Sequence, residues 1–217
     1  MYRICLVEDE RNLNNLVKTY LEKEGYEVIQ CFSGKEAMNV TLKIDLWILD
    51  IMLGDEISGY DIIKKIRERD SIVPVIFTSA RDQEIDKILG LEMGSDDYIT
   101  KPYSPKQLML RISNILKRVH RTDVSKLTYE DYSINKEKRT VLDKDNEIRL
   151  TNLEFELLIM FLENPGKSFK RDEILNIVWG TDYFGSDRIV DDLVRRLRAK
   201  MPKLNITTIY GLGYRLS

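Results

Sequence analysis

Residues 46–53 read Leu-Trp-Ile-Leu-Asp-Ile-Met-Leu, and this stretch decides the fold. Four apolar residues run into a carboxylate, Asp50, and apolar residues resume at once before a loop opens at Gly54. A short apolar run ended by loop residues fits a strand buried on both faces, as in a parallel sheet. An unpaired charge at such a place is expensive. Asp50 therefore needs a neutralising partner.

Outward from this strand, the first 120 residues alternate short apolar runs with amphipathic stretches. Arg3–Val7, Tyr26–Gln30, Ile44–Leu49, Val73–Phe77 and Asp96–Thr100 read as strands, and Asn12–Glu24, Gly34–Leu42, Tyr60–Arg69, Glu84–Glu92 and a stretch from Pro105 to Val119 read as helices. Repeated βα units predict a doubly wound α/β fold, a parallel sheet with helices on both faces and a site at the carboxyl ends of its strands.

The pattern changes after a polar linker expected at 120–126, which separates a first domain (1–119) from a second (127–217). Short alternating strands come first. A helix from Thr151 follows, with Thr151 as N-cap and Glu154 as its capping-box acid. Lys170–Gly180 reads as another helix. A third is capped by Ser186 or Asp187 and stops before Pro202, and Asn205–Leu216 reads as a hairpin with a glycine at its tip. The second domain is thus α+β.

At 217 residues the chain fits two domains of roughly 100 residues each. Its 36 acids and 34 bases nearly balance, so any hint of nucleic acid must be local. The opening residues carry charge too early for a secretory signal, and no apolar run is long enough for a membrane helix. A cytoplasmic protein with no membrane partner is expected. Cys5 and Cys31 read as buried free thiols, and the lone His120 as a surface residue.

The strand ends carry the chemistry. The first ends in Glu8 and Asp9, the third in Asp50, the fourth in Thr78 and Ser79, the fifth in Lys101 before Pro102. Three carboxylates brought together repel, and a divalent cation such as Mg²⁺ resolves that. A hydroxyl and an ammonium nearby suit phosphoryl oxygens. Asp50 is either a metal ligand only or a nucleophile toward phosphorus. Adjacent strand residues point oppositely, so one of Thr78 and Ser79 faces the site.

The segments Val7–Glu10, Leu49–Leu53, Ser79–Arg81 and Gly94–Pro105, with the whole carboxyl half, make the chain resemble the response regulators of the OmpR/PhoB type. The resemblance implies a CheY-like receiver, with a five-stranded sheet of order 2-1-3-4-5, followed by a winged-helix DNA-binding domain. It makes Asp50 the phosphoacceptor for a sensor histidine kinase. Glu8, Asp9, Asp50 and the Met52 carbonyl become the Mg²⁺ pocket, Lys101 the phosphoryl partner, Ser79, at the family's usual interval before Lys101, the switch hydroxyl with Thr78 as the runner-up, and Tyr98 the aromatic that turns inward on activation. The Lys101–Pro102 bond is expected to be cis. The family's usual proline after the phosphoacceptor is replaced by Gly54, and the loop to Gly59 holds one extra residue.

In the stretch Asp187–Lys203, apolar residues recur at helical spacing and arginines occupy the opposite face, which suits the major groove. The resemblance makes this the recognition helix, with Arg188, Arg195, Arg196 and Arg198 toward double-stranded promoter DNA. Trp179 and Thr208 match backbone-contacting positions. Tyr210 stands where the wing usually carries an arginine. RNA polymerase is a further implied partner. The family's receiver homodimer pairs Asp97 with Arg111 and Asp96 with Arg118 across subunits, around Ile88, Leu91 and Met109; Gln107 replaces the glutamate expected to meet Lys87.

From another class, an aspartyl-nucleophile phosphohydrolase commonly needs a second acid two residues after the nucleophile, where this chain has Met52. The expected function is a phosphorylation-controlled transcription regulator rather than an enzyme. A regulator of the same fold acting without phosphorylation is the alternative, because the loop after Asp50 is unusual.

Overall fold

The computed structural model describes residues 1–54, 56–80, 84–119, 126–180 and 188–217, with the side chains at 84, 85, 87 and 88 outside the description. The chain divides into two compact units, Met1–His120 and Arg121–Ser217. Most of the expected linker, 120–125, and the expected N-cap at Ser186 or Asp187 lie outside the described residues.

The first unit runs β1 (Arg3–Val7), α1 (Arg11–Lys23), β2 (Glu27–Cys31), α2 (Gly34–Met38), β3 (Leu46–Asp50), α3 (Gly59–Arg69), β4 (Val75–Ser79), α4 (Glu84–Glu92), β5 (Asp97–Thr100) and α5 (Pro105–Val119). Its sheet is parallel, with the order β2-β1-β3-β4-β5 that the family resemblance implies. Alternation along the strands feeds two cores. Trp47, Leu49, Val75 and Phe77 pack with Ile62, Ile63 and Ile66 of α3 on one face. Leu46, Ile48 and Ile76 pack with Val17 and Leu21 of α1 and Leu108 and Ile112 of α5 on the other. Cys5 and Cys31 are buried free thiols with their sulfurs 3.8 Å apart.

Several boundaries shift by one or two residues from the sequence reading, and the ends of α2 and β4 matter most. The apolar spacing carries α2 to Leu42, yet the helix ends at Met38. Asn39, Val40 and Thr41 are all poor helix formers, for local-bonding or β-branching reasons. β4 runs on to Ser79 rather than stopping at Phe77, so both candidate hydroxyls belong to the strand itself.

The second unit opens with an antiparallel meander of β6 (Lys126–Tyr129), β7 (Tyr132–Asn135), β8 (Thr140–Asp143) and β9 (Asn146–Ile148). Then come α6 (Asn152–Leu162), β10 (Ser168–Lys170), α7 (Arg171–Trp179), α8 (Arg188–Lys200), β11 (Ile206–Ile209) and β12 (Gly213–Leu216). Thr151 and Glu154 close the expected capping box on α6. The hairpin β11–β12 gains β10 as a third strand, in the order β10-β12-β11. A side chain at Gly213 would run into the backbone of Phe169, so this close pairing needs glycine there.

Candidate functional site

Parallel pairing brings the ends of β1, β3, β4 and β5 to one edge of the sheet. Carboxylate oxygens of Glu8, Asp9 and Asp50 lie within 4.8 Å of one another there. Glu8 and Asp50 are buried, whereas Asp9 is exposed. Lys101 reaches both buried acids, its Nζ 2.6 Å from Glu8 Oε2 and 2.6 Å from Asp50 Oδ2. This ammonium neutralises Asp50 in the buried strand end. Burial, reinforced by the charge of Asp50, outweighs the Lys101 hydrogen bond and lifts the Glu8 carboxyl above its usual range. Burial pulls Lys101 the other way, but its bonds to Asp50 and Glu8 win and hold its ammonium above the ordinary value. Three hard oxygen donors this close are what a divalent cation of the Mg²⁺ kind takes. The donor set fits.

The loop after β3 is fastened to this pocket. The Met52 amide donates to Asp50 Oδ1 at 3.0 Å, and the Gly54 amide donates to Asp9 Oδ2 at 3.0 Å. Proline at position 54 would have no such donor. The lengthened loop leans on α2: a Cβ on Gly34 would stand 2.6 Å from the Cβ of Ile57. Gly59 starts α3 directly against the Asp50 carbonyl, where an added Cβ would also lie 2.9 Å from Ile51 Cα.

Thr78 stands opposite Asp50 in the strand register, and its carbonyl accepts from the Ile51 amide at 3.0 Å. Ser79 follows it, and its carbonyl accepts from the Lys101 amide at 2.7 Å. Both hydroxyl residues are buried. The Lys101–Pro102 bond is cis. Tyr98 is buried in the core beside Phe77 and Gly90. One support was invisible in the sequence: Asn14 of α1, wholly buried, donates to the carbonyls of Glu8 (2.8 Å) and Cys31 (3.1 Å) and so ties the ends of β1 and β2 together.

On α8, Ile189, Val190, Leu193, Val194 and Leu197 are buried. Arg188 and Arg195 are exposed, and Arg195 pairs with Asp192 one turn back. Arg198 ties the helix to the hairpin, with Nη2 donating to the Ile206 carbonyl at 2.6 Å and to Thr208 Oγ1 at 3.1 Å, and the guanidinium over the Tyr214 ring. Arg196 departs from the sequence reading. Its side chain is 13% exposed and lies between Asp192 and the buried Glu154 of α6. Glu154, the capping acid, also takes Lys200 at 2.6 Å. The structure thus separates Arg196 from the exposed arginines. Trp179 is buried, and Tyr210 is 95% exposed at the hairpin tip.

Comparison with known proteins matches residues 4–113 to the response regulator receiver domain and residues 145–216 to the C-terminal domain of transcriptional regulatory proteins. This chain belongs to the response regulators. It is 48% identical to the transcriptional regulatory protein CssR of Bacillus subtilis (strain 168), across 99% of this chain and 98% of CssR. It is 36% identical to the response regulator SaeR of Staphylococcus aureus (strain USA300), with the same coverage of 99% and 98%. Among solved structures it resembles the response regulator DrrB, a Thermotoga maritima OmpR/PhoB homologue (30% identity, TM-score 0.55, covering 100% of this chain and 99% of DrrB), and a mutant form of RitR (27%, 0.78, 100% and 99%). It is a two-component response regulator with a receiver and a transcription-regulator domain, in a family of DNA-binding proteins that are not enzymes.

In this regulator the residues expected at a dimer face are largely engaged within one chain. Arg111 Nη1 lies 2.7 Å from Asp97 Oδ2, and Arg118 Nη2 lies 3.7 Å from Asp96 Oδ1. Burial nevertheless outweighs Arg111 and lifts the Asp97 carboxyl above the usual range. Leu91 and Met109, expected in an apolar patch between subunits, are buried; the exposed apolar residues of α4 and α5 include Leu89 and Leu110. Gln107 is exposed, and the side chains of Lys87 and Ile88 lie outside the described residues. No helix among the described residues is long and apolar enough to cross a membrane.

Proposed function

We propose that a sensor histidine kinase phosphorylates this regulator on Asp50, and that the phosphorylated form dimerises and binds promoter DNA in the cytoplasm to control RNA polymerase. The observation that carries this reading is Asp50 itself: a buried carboxylate, bridged to Lys101 and flanked by Glu8 and Asp9.

Asp50 supplies a carboxylate oxygen that attacks phosphorus as the bond from phosphorus to the kinase imidazole breaks. Lys101, already against Asp50, moves to the phosphoryl oxygens. Glu8, Asp9 and Asp50, with the Met52 carbonyl, would hold Mg²⁺, which offsets the negative charge gathered during transfer. Ser79 donates a hydroxyl hydrogen bond to a phosphoryl oxygen, with Thr78 the neighbouring candidate, and Tyr98, already buried, holds the inward position that the resemblance assigns to the activated form. On DNA, Arg188, Arg195 and Arg198 face the duplex, with Thr208 and Trp179 toward its backbone and Tyr210 at the wing position that meets the minor groove.

Asp50→Asn tests the acceptor. Asn keeps the volume of Asp but is no nucleophile, so the variant should gain no mass from acetyl phosphate and Mg²⁺ while the parent gains one phosphoryl group. A phosphorylated Asp50→Asn protein would place the acceptor elsewhere. A parent that gains nothing under the same treatment would favour a regulator that works without phosphorylation.

A further inference from the structure

Between α2 and α3 lies a cavity of about 190 Å³, outside the acid pocket and sharing none of its residues. It exists because α2 ends early. The non-helical segment after Met38 supplies one wall through Val40, Thr41, Leu42, Lys43 and Ile44. The floor is apolar and buried: Ala37, Ile44, Trp47, Ile62, Ile66 and Val73.

The polar lining is strongly one-sided. Lys43, Lys65 and Arg69 face a single acid, Asp70. Asp70 Oδ1 already accepts from the amides of Ile72 (2.9 Å) and Val73 (3.0 Å). Lys65 and Arg69 sit one turn apart on α3, where like charges repel, and Lys43 adds a third cation from the opposite wall. Among the described residues none of these three cations forms an ion pair. Cations gathered over an apolar floor call for a ligand with an apolar body and one acidic head.

Size narrows the class. The cavity exceeds the roughly 150 Å³ of dry apolar cavities that hold benzene, and falls short of the roughly 300–1,000 Å³ of drug-sized pockets. A macromolecular partner would need about 800 Å² of open surface, yet the floor residues are buried and Leu42 is the one large exposed apolar side chain in the lining. We propose that this cavity binds a small amphipathic monoanion: a carboxylic acid whose apolar body is a single ring or a medium-length chain. The carboxylate meets Lys65 and Arg69, with Lys43 across from them, and the apolar body rests on Trp47, Ile62 and Ile66.

Titration calorimetry of the full-length protein with octanoate and octan-1-ol tests this, with amide and indole NMR shifts locating the ligand. Octanoate should bind saturably at one site and shift the Trp47 indole and the Ile44 and Ile66 amides. The alcohol, and octanoate on the Lys65→Ala/Arg69→Ala protein, should bind about tenfold more weakly, as expected when charge assistance is lost. Circular dichroism should show that double variant folded, since neither side chain forms an ion pair with the described residues. Absence of saturation in the millimolar range, equal affinity for the alcohol, an unaffected double variant, or shifts confined to another surface would each overturn the proposal. So would concentration-dependent sedimentation abolished by Leu42→Asp, which would assign the face to a second copy of the chain.

Discussion

Gly59 lacks a side chain because none fits. A Cβ there would overlap the Asp50 carbonyl, and backbone cannot step aside as a flexible side chain can. Gly59→Ala should therefore cost about 1–3 kcal/mol of receiver stability, the usual scale for overpacking a filled site. Urea unfolding would read this as a lower midpoint at unchanged slope. A variant as stable as the parent would mean that the start of α3 gives way freely. Residues of this pocket were legible in the sequence where their chemical type is rare in a strand end: Glu8, Asp9, Asp50 and Lys101 announce themselves by charge in apolar surroundings. Asn14 did not, because a polar residue near a helix start reads as solvated until the carbonyls it bonds are known. Gly54 was legible only as a departure from a pattern. Its amide bond to Asp9 gives that departure a physical role.

Helix ends were readable where side chain and backbone bond locally, and less so elsewhere. Ser58 caps α3: Asp61 Oδ2 accepts from the Ser58 hydroxyl (2.6 Å) and amide (3.1 Å), and the Asp61 amide donates back to Ser58 Oγ. The Ser58 hydroxyl, then its amide, hold the Asp61 carboxyl below its ordinary range. A depressed folded-state value means that the stabilisation is present above the unfolded value and lost as pH falls through the folded one. Ser58→Ala should thus lower stability at neutral pH by about 1 kcal/mol. The deficit should shrink on acidification below the usual carboxylate range. A deficit that stays constant with pH would show that Asp61 contributes nothing to the cap. The end of α2 was missed because the apolar spacing runs on past Asn39, whose backbone and side chain close the helix, and the three-residue β10 because no long apolar run marks it.

The arginines of α8 divide at the same scale. Removing exposed Arg195 should leave stability unchanged and weaken DNA binding, with the salt slope falling by about one unit if the contact is to phosphate. Removing Arg196 should do the opposite, because it sits beside buried Glu154. Arg198→Ala should do both, since it loosens the hairpin as well. Gel-shift titrations at several salt levels, beside thermal melts, separate the three. Equal DNA effects at Arg195 and Arg196 would contradict the burial pattern. Periodicity alone put all these arginines on one polar face; Glu154, far away in sequence, decides which of them is drawn inward.

For the whole molecule, the two-unit plan follows from the change of hydrophobic period after α5, which is why it was readable, whereas the order of the parallel sheet was implied only by the family resemblance. Assembly is different, because a partner's face leaves no periodic signature. Our proposed phosphorylation-favoured dimer through α4, β5 and α5 must contend with charges already paired inside the chain. Arg111→Ala is a poor probe of it: stranding buried Asp97 should cost about 3–5 kcal/mol and unsettle the monomer. Gln107 is the cleaner probe, being exposed and standing where the family resemblance expects a glutamate to meet Lys87 of the other subunit. A neutral amide can still accept a hydrogen bond from an ammonium, but charge assistance roughly doubles such a bond's strength. Exposed pairs are worth only about 0–1 kcal/mol, so Gln107→Glu should tighten self-association of the phosphorylated protein by no more than several-fold and leave the unphosphorylated protein nearly unchanged. Sedimentation equilibrium on both proteins, with and without phosphodonor, would measure this. An unchanged dimerisation constant in the phosphorylated variant would move the interface to another face of the receiver.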